Sequence, residues 1–555
     1  MNNINVKVVY KNNKILEKNF NKGITLYDIK EQLKDKFDYP IFLAKINNEN
    51  LELFKDIKED CEIEFLDITN KHAYLTYKRS VALLMINAIR KILGEDTRIV
   101  IKYSINQNWF CEIENVEITE KLLNDISNYM MNTVLKNEKI EKMNVPTNEC
   151  IKLLNKYKMY DRANGLSFVR KSSINLYKLE DTYDYLYGTM AVDTKDLSGF
   201  KIIKNENNSF TLNFLDKNNP SELKEYKNIK KLIEVFEECS SWSKIIGVDY
   251  VASLNSAICE GRIEEIILIS EALQEKKIAN IADMITKNNK KVVLIAGPSS
   301  SGKTTFANRI CVQLKVNGIK PYVISLDNYY LDRENVPLDE EGKPDFECLE
   351  SLDVDRINKD MESLINGEPT EIPKFNFLTG KREKGKIITL KENEVIIIEG
   401  IHGLNEKISK NIDKKDKFKI FISALTQLNI DSHNRISTTD ARIFRRLVRD
   451  HYFRGFGVNK TIQIWSDVMK GEVKNIFPFQ EEADIIFNSA LIYELAVLKP
   501  FAEPLLYKVK KDEEEYSEAT RLIKFLDSFL PINHLGSIPS NSIIREFIGG
   551  SCFEH

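Results

Sequence analysis

The residues with the clearest chemical potential form one run, Gly297-Pro298-Ser299-Ser300-Ser301-Gly302-Lys303-Thr304-Thr305. It satisfies G-x-x-x-x-G-K-[ST], in which glycines let the backbone wrap so that its N–H groups face phosphate oxygens. In that pattern Lys303 reaches the β- and γ-phosphates of a nucleotide and the Thr304 hydroxyl meets Mg²⁺. Gly297, Ser299, Ser300, Ser301, Gly302, Lys303, Thr304 and Thr305 are the expected ATP-binding residues. The loop alone does not say whether the phosphoryl group passes to water or to another molecule. Asp327 bears on that choice, because it ends an apolar, β-branched stretch over 322–326 and could accept the proton of an attacking hydroxyl. Glu399 ends a second apolar stretch over 395–398, where an acid would hold the magnesium shell. No N-K-x-D element follows, and Asp339-Glu340-Glu341-Gly342 matches D-x-x-G by letter only, so a GTPase is disfavoured.

These groups need a frame. Residues 292–296 read as a buried strand before the loop, and Phe306, Ile310 and Leu314 recur every four residues after it, as an amphipathic helix requires. Gly318 is the expected stop. In a doubly wound sheet, the carboxyl ends of the strands line the ligand crevice, so Gly297, Asp327 and Glu399 are expected to converge. A basic helix follows, with Arg442, Arg445, Arg446 and Arg449 at i, i+3, i+4 and i+7 on one face. That row is read as a lid closing over ATP and stabilising the transferring phosphoryl group. His402 is left as a structural residue.

The chain has 555 residues, which at about 150 per domain allows three or four domains. Hydrophobic residues make up 43% and charged residues 29%, which excludes a wholly disordered or fibrous chain. With 80 Lys+Arg against 83 Asp+Glu, nothing steers the whole chain onto nucleic acid or an anionic membrane. The apolar runs are far shorter than the roughly 20 residues a membrane helix needs, and residues 1–7 lack a signal-peptide core. The eight cysteines include no C-x-x-C pair and read as reduced thiols. A soluble cytoplasmic protein is expected, with no membrane partner.

The run GPSSSGKTT is followed in order by LDNYY (326–330), DFECLESLD (345–353), EIPKFNF (371–377), IIIEGIHGLN (396–405) and DARIFRRLVRDHYFRG (440–455). Together they resemble the uridine kinase and phosphoribulokinase family over about 290–500. The resemblance implies an ATP- and Mg²⁺-dependent kinase of a sugar hydroxyl, foremost the 5′-hydroxyl of a nucleoside, with Asp327 as catalytic base beside Lys303. It further implies Tyr330 as a nucleoside contact, Asp345 as the acid gripping ribose hydroxyls, Phe375 and Phe377 as walls around the base, and the Arg442 segment as the lid. Gly380 stands where uridine-cytidine kinases carry a base-reading histidine, and Phe375 replaces a tyrosine. The nucleobase is therefore open, and so is a non-nucleoside hydroxyl substrate.

Two further resemblances lie upstream. Gly23-Ile24-Thr25-Leu26-Tyr27-Asp28-Ile29, with Thr25 as a helix N-cap, resembles the TGS domain, a β-grasp module, over 1–68. Residues 69–222 resemble the α+β editing domain of threonyl-tRNA synthetases through Arg79-Ser80-Val81-Ala82-Leu83-Leu84 and Gly188-Thr189-Met190-Ala191. Arg79 and Leu83 stand at that family's histidine positions, and neither ligates zinc. The expected order is the two modules, a helical connector (223–290), a doubly wound α/β P-loop kinase domain (291–510) and a tail (511–555). The whole order is similar to bacterial multidomain uridine or nucleoside kinases. Contact with RNA through the N-terminal modules, an RNA- or ribosome-associated regulator using ATP as a switch, and a homo-oligomer all stay open.

Overall fold

Five short strands build the sheet that positions the site, the inner ones runs of Val, Ile, Leu and Phe buried on both faces. In the computed structural model, which describes residues 3–10, 14–227, 229–339, 342–376 and 379–553, they are β1 (Val292–Ala296), β2 (Lys320–Ser325), β3 (Glu394–Glu399), β4 (Lys417–Ser423) and β5 (Ile485–Asn488). All pair in parallel, in the spatial order β2-β3-β1-β4-β5. Near-continuous apolar strands are what a sheet covered by helices on both faces requires. The register sets Ile295 opposite Glu399, and Ser325 opposite Glu399 from the other side. Three strand ends therefore finish level, as the sequence pattern predicts for a doubly wound sheet.

The helix after the phosphate loop, α1 (Lys303–Val316), buries Phe306, Ile310 and Leu314 as expected. Gly318 adopts φ +79° just beyond it, a conformation that costs glycine little. The arginine helix α2 (Thr438–Phe453) and α3 (Val458–Asn475) cover the carboxyl end of the sheet. Helices expected over 223–290 form at Lys230–Ile246, Val251–Cys259 and Ile263–Lys287. The last of these packs Ile278, Ile281, Ala282 and Ile285 into the same core as Phe306 and Ile310. Beyond 510 the chain packs into the same core. Tyr516–Leu526 is a helix whose Leu522, Phe525 and Leu526 join that core, and Ile543, Ile544 and Phe547 are also fully buried in it.

Residues 3–67 form a five-stranded sheet in which Asn3–Tyr10 and Cys61–Asp67 are parallel neighbours, flanked by Lys14–Asn21 and Ile41–Ile46. The helix Leu26–Gln32 covers it. Thr25 caps that helix, accepting from Asp28 N at 3.1 Å and donating to Asp28 Oδ2 at 2.7 Å. Val81, Leu84, Met85, Ala88 and Ile92 recur at helical spacing and predict a helix over 80–93; the helix runs from Lys71 to Leu93, starting nine residues earlier. Asn70 caps it from His72 N and Ala73 N, and the added turns bury Tyr74 and Tyr77 between the two sheets. Gly94 ends it at φ +106°. Four strands, Phe200–Lys204, Phe210–Asp216, Asn108–Ile113 and Ile99–Ile105, lie side by side over this helix. A buried cluster joins this unit to the segment that follows β4. Arg162 pairs with Asp184 and reaches Asp431, while His433 Nδ1 lies 2.8 Å from Asp184 Oδ2. Among the described residues, no helix is long and apolar enough to cross a membrane.

Candidate active site

The loop between β1 and α1 is fixed by close packing. A Cβ on Gly297 would lie 2.0 Å from the Ile422 carbonyl oxygen, so only glycine lets the loop cross β4 there. Ser300 and Gly302 hold positive φ, +58° and +84°, and turn successive backbone groups toward one concavity. Lys303 Nζ folds back onto the carbonyls of Gly297 (2.9 Å) and Pro298 (3.1 Å). The side chain of Thr304 is exposed.

Asp327 sits in a 3₁₀ turn, Leu326–Tyr329, at the end of β2, capped by Ser325. Its carboxylate accepts no hydrogen bond from the described residues, and neither does that of Glu399. Burial and the Glu399 charge push the Asp327 carboxyl up to about 6, against the pull of Lys303 and Arg454. Burial lowers the Lys303 ammonium, although Glu399, Glu546, Glu472 and Asp327 all favour its charged form. Glu347 is raised to about 7 by burial and by Glu472. Groups held away from their ordinary titration ranges in one crevice are the electrostatic mark of a working site. Thr304 and Glu399 offer hard oxygen donors that suit Mg²⁺, which takes one or two protein ligands and completes its shell with phosphates and water.

On the far side, Tyr330 packs edge-on against Phe346 (5.5 Å) and Phe375 (5.6 Å), and its hydroxyl donates to the Phe346 carbonyl at 3.3 Å. The Phe375 N–H donates to Asn328 Oδ1, tying this wall to the turn that carries Asp327. Asp345 accepts from Glu347 N at 3.0 Å, which orients its carboxyl group. Phe377 lies outside the described residues. Gly380 has φ +69°, and a Cβ there would meet Arg333 Cβ at 3.0 Å and Nε at 3.2 Å.

The arginines differ in what they touch. Arg442 makes a bidentate pair with Glu472 at 2.6 and 2.7 Å and reaches the Ser299 carbonyl. Arg446 donates to Ser299 Oγ at 2.9 Å and pairs with Asp450. Arg449 also turns to Asp450. Arg445 is wholly buried, braced on Glu494, Ser489 and the Ser300 carbonyl. In this structure Arg445 is a strut beneath the loop, and Arg442 and Arg446 grip the loop from above.

The profile of the Phosphoribulokinase / Uridine kinase family matches residues 292–495. A uridine kinase of Staphylococcus haemolyticus is 30% identical over 200 residues, which are 36% of this chain and 87% of that protein. The chain belongs to this family. A uridine kinase of Oceanobacillus iheyensis is likewise 30% identical over 203 residues, 36% of this chain and 88% of its own. A solved structure described as a possible uridine kinase from Bacillus stearothermophilus is 18% identical, with 38% of this chain and all of that one covered and a TM-score of 0.26.

Three glutamates of the family domain and its surroundings escaped the motif-based reading. Glu472 accepts from Ser299 N at 2.8 Å, and Glu347 approaches it across the crevice mouth. His402 is buried behind the 347–350 backbone, its imidazole held down to about 4 by burial. Glu546, far outside the matched segment, accepts from Thr305 N (3.4 Å) and Thr305 Oγ1 (2.7 Å). Motif spacing announces a partner for none of these three glutamates, because each partner is more than a hundred residues away.

Proposed function

We propose that this protein transfers the γ-phosphoryl group of ATP to a sugar hydroxyl, foremost the 5′-hydroxyl of a nucleoside. The observation that carries the reading is the convergence of Lys303, Asp327 and Glu399 at three level strand ends, in a chain 30% identical to uridine kinases over that segment. Asp327, whose carboxylate accepts no hydrogen bond from the described residues, takes the proton of the attacking hydroxyl. Its raised titration range favours this role, since a base near 6 holds a proton better than an ordinary aspartate and is still ionised at neutral pH. Lys303 and the loop N–H groups carry the charge that spreads over the transferring group. Bound through Thr304 and Glu399, Mg²⁺ would neutralise phosphate charge. Tyr330 and Phe375 form an apolar wall suited to a base, and Asp345 is placed to accept from ribose hydroxyls. Arg442 and Arg446 would hold the loop closed over the phosphates.

One observation favours a different acceptor. Gly380 leaves no side chain to read a base edge, and Arg333 already crowds that position. A site without polar partners for a base discriminates weakly, which suits a broad nucleoside range or a non-nucleoside hydroxyl compound. For the upstream units, the parallel pair inside residues 3–67 supports the TGS-like reading. A guanidinium at Arg79 and a buried Leu83 support an editing-like scaffold without its metal site.

The test is ATP consumption by the full chain with Mg²⁺, across nucleosides and sugar phosphates, with an acceptor-free control. Turnover confined to nucleosides is expected. Turnover only with a sugar phosphate moves the acceptor class, and acceptor-independent turnover overturns the kinase reading.

A further inference from the structure

The first turn of α1 already holds an anion, and it comes from the chain's own C-terminal segment. The Glu546 carboxylate takes both donors of Thr305, its backbone N–H and its hydroxyl. It is also close enough to bias the charge on Lys303 and Arg454. Backbone N–H groups at the start of this helix are the ones a phosphate uses. A phosphate oxygen and a carboxylate oxygen cannot share them.

The segment that delivers Glu546 is built to stay in place. Glu546 lies on α4 (Arg545–Ile548). On either side of it, Ile543 and Phe547 are fully buried. Ile543 packs so closely on the loop that a Cβ at Gly302 would lie 2.6 Å from its Cγ2. The Arg445 guanidinium lies over the Phe547 ring at 5.1 Å. Arg545 donates to the carbonyls of Leu535 (2.7 Å) and Ile538 (2.8 Å), and Ser542 donates to Glu271. Glu546 itself is only half-buried, so its side chain can swing toward solvent while its anchored neighbours stay. Glu472, the other carboxylate on the loop, lacks that freedom because Arg442 holds it in a buried bidentate pair.

We propose that Glu546 is an intramolecular competitor for the nucleotide's phosphates: a carboxylate seated in the phosphate cradle that must leave before ATP can bind. The proposal rests on the reading above that the loop binds ATP. It makes the apparent affinity for ATP the intrinsic affinity reduced by the fraction of molecules in which the cradle is open. Anything that undocks α4 would then raise ATP affinity without touching the catalytic groups.

The experiment measures MgATP binding by calorimetry on the full chain, without acceptor, for wild type and Glu546→Gln. The amide preserves shape and removes the charge that makes the contact strong. MgATP should bind about tenfold more tightly to the variant, as for a cradle occupied in about nine molecules of ten. Equal or weaker binding overturns the proposal. Glu546→Ala, which removes the carboxylate and offers Thr305 no amide in its place, gives a second reading: it should also bind MgATP more tightly than wild type, and equal or weaker binding there overturns the proposal. Tighter MgATP binding by the variant without phosphorylation of any acceptor supports the competitor and sinks the acceptor assignment alone. Absence of MgATP binding in both proteins overturns the competitor together with the nucleotide reading.

Discussion

Two helix-borne or strand-end clusters in this molecule hold charges in opposite ways. Around Arg79, the polar groups meet hydrogen-bond partners. The guanidinium donates to the Thr189 carbonyl and hydroxyl, both at 3.0 Å, and fits under Gly188, where a Cβ would lie 2.5 Å from Cζ. Nearby, Glu52 accepts from Tyr177 and Met190 N and pairs with Lys142. Around Asp327, two carboxylates that accept no hydrogen bond from the described residues repel one another beside a lysine that burial pushes toward its neutral form. The first arrangement is a finished structure, with no group held open for a ligand to complete. The second is unfinished. On the reading proposed above, a nucleotide, a cation and a hydroxyl would relieve its electrostatic cost.

The sharpest way to break this contrast is to finish the unfinished cluster. Asp327→Asn removes the repulsion with Glu399 and the proton acceptor together. The expected result is a kcat lower by roughly 10²–10⁴-fold, with MgATP affinity held or improved. Steady-state rates and calorimetry on the same preparation check both halves, and near-normal turnover would remove Asp327 from the reaction. The reciprocal change, Arg79→Met, unfinishes the other cluster. It leaves the Thr189 carbonyl without its donor, a loss of about 1–3 kcal/mol, seen as a lower melting temperature. The rate per folded molecule should not change. A fall in kcat from Arg79→Met would mean that the two clusters are coupled and that the upstream unit does more than scaffold.

How much of this was legible depends on the range of the contact involved. The loop, β1, α1, the stop at Gly318 and the Thr25 cap follow from rules acting within a few residues, and each stands where those rules put it. The strand ends were legible one step further, because parallel order brings their carboxyl ends together. The arginine row was legible as a row but not as a set of partners. Helical spacing aligns Arg442, Arg445 and Arg449, yet which one faces the loop is decided by Glu472, Glu494 and Asp450, two of them on other helices. The start of the long helix at Lys71 was missed because its first turns bury tyrosines against a neighbouring unit, which periodicity within 80–93 does not contain. Glu546 was illegible for the same reason at the greatest distance, 241 residues from Thr305.

The smallest effect separates the clusters by pH. The folded-state carboxyl of Asp327 is raised to about 6, against about 3.9 for a free aspartate. A base must be ionised, so kcat/KM should fall as pH drops through 6, about tenfold by pH 5. Stability should respond in the opposite sense. A carboxyl with a raised folded-state pKa binds its proton more readily in the native protein than in the unfolded chain between about 4 and 6. Its contribution to stability therefore grows as pH falls across that window. Activity lost to acid unfolding would come with a falling melting temperature. Activity lost to protonation of Asp327 should come without one. The difference in melting temperature between wild type and Asp327→Asn, followed from pH 7 to pH 4.5, isolates the group, and it should move in favour of wild type on acidification. The Arg79→Met variant should keep the acid limb at the same midpoint. A limb near 4 would return Asp327 to the ordinary carboxylate range and erase the contrast on which its role depends.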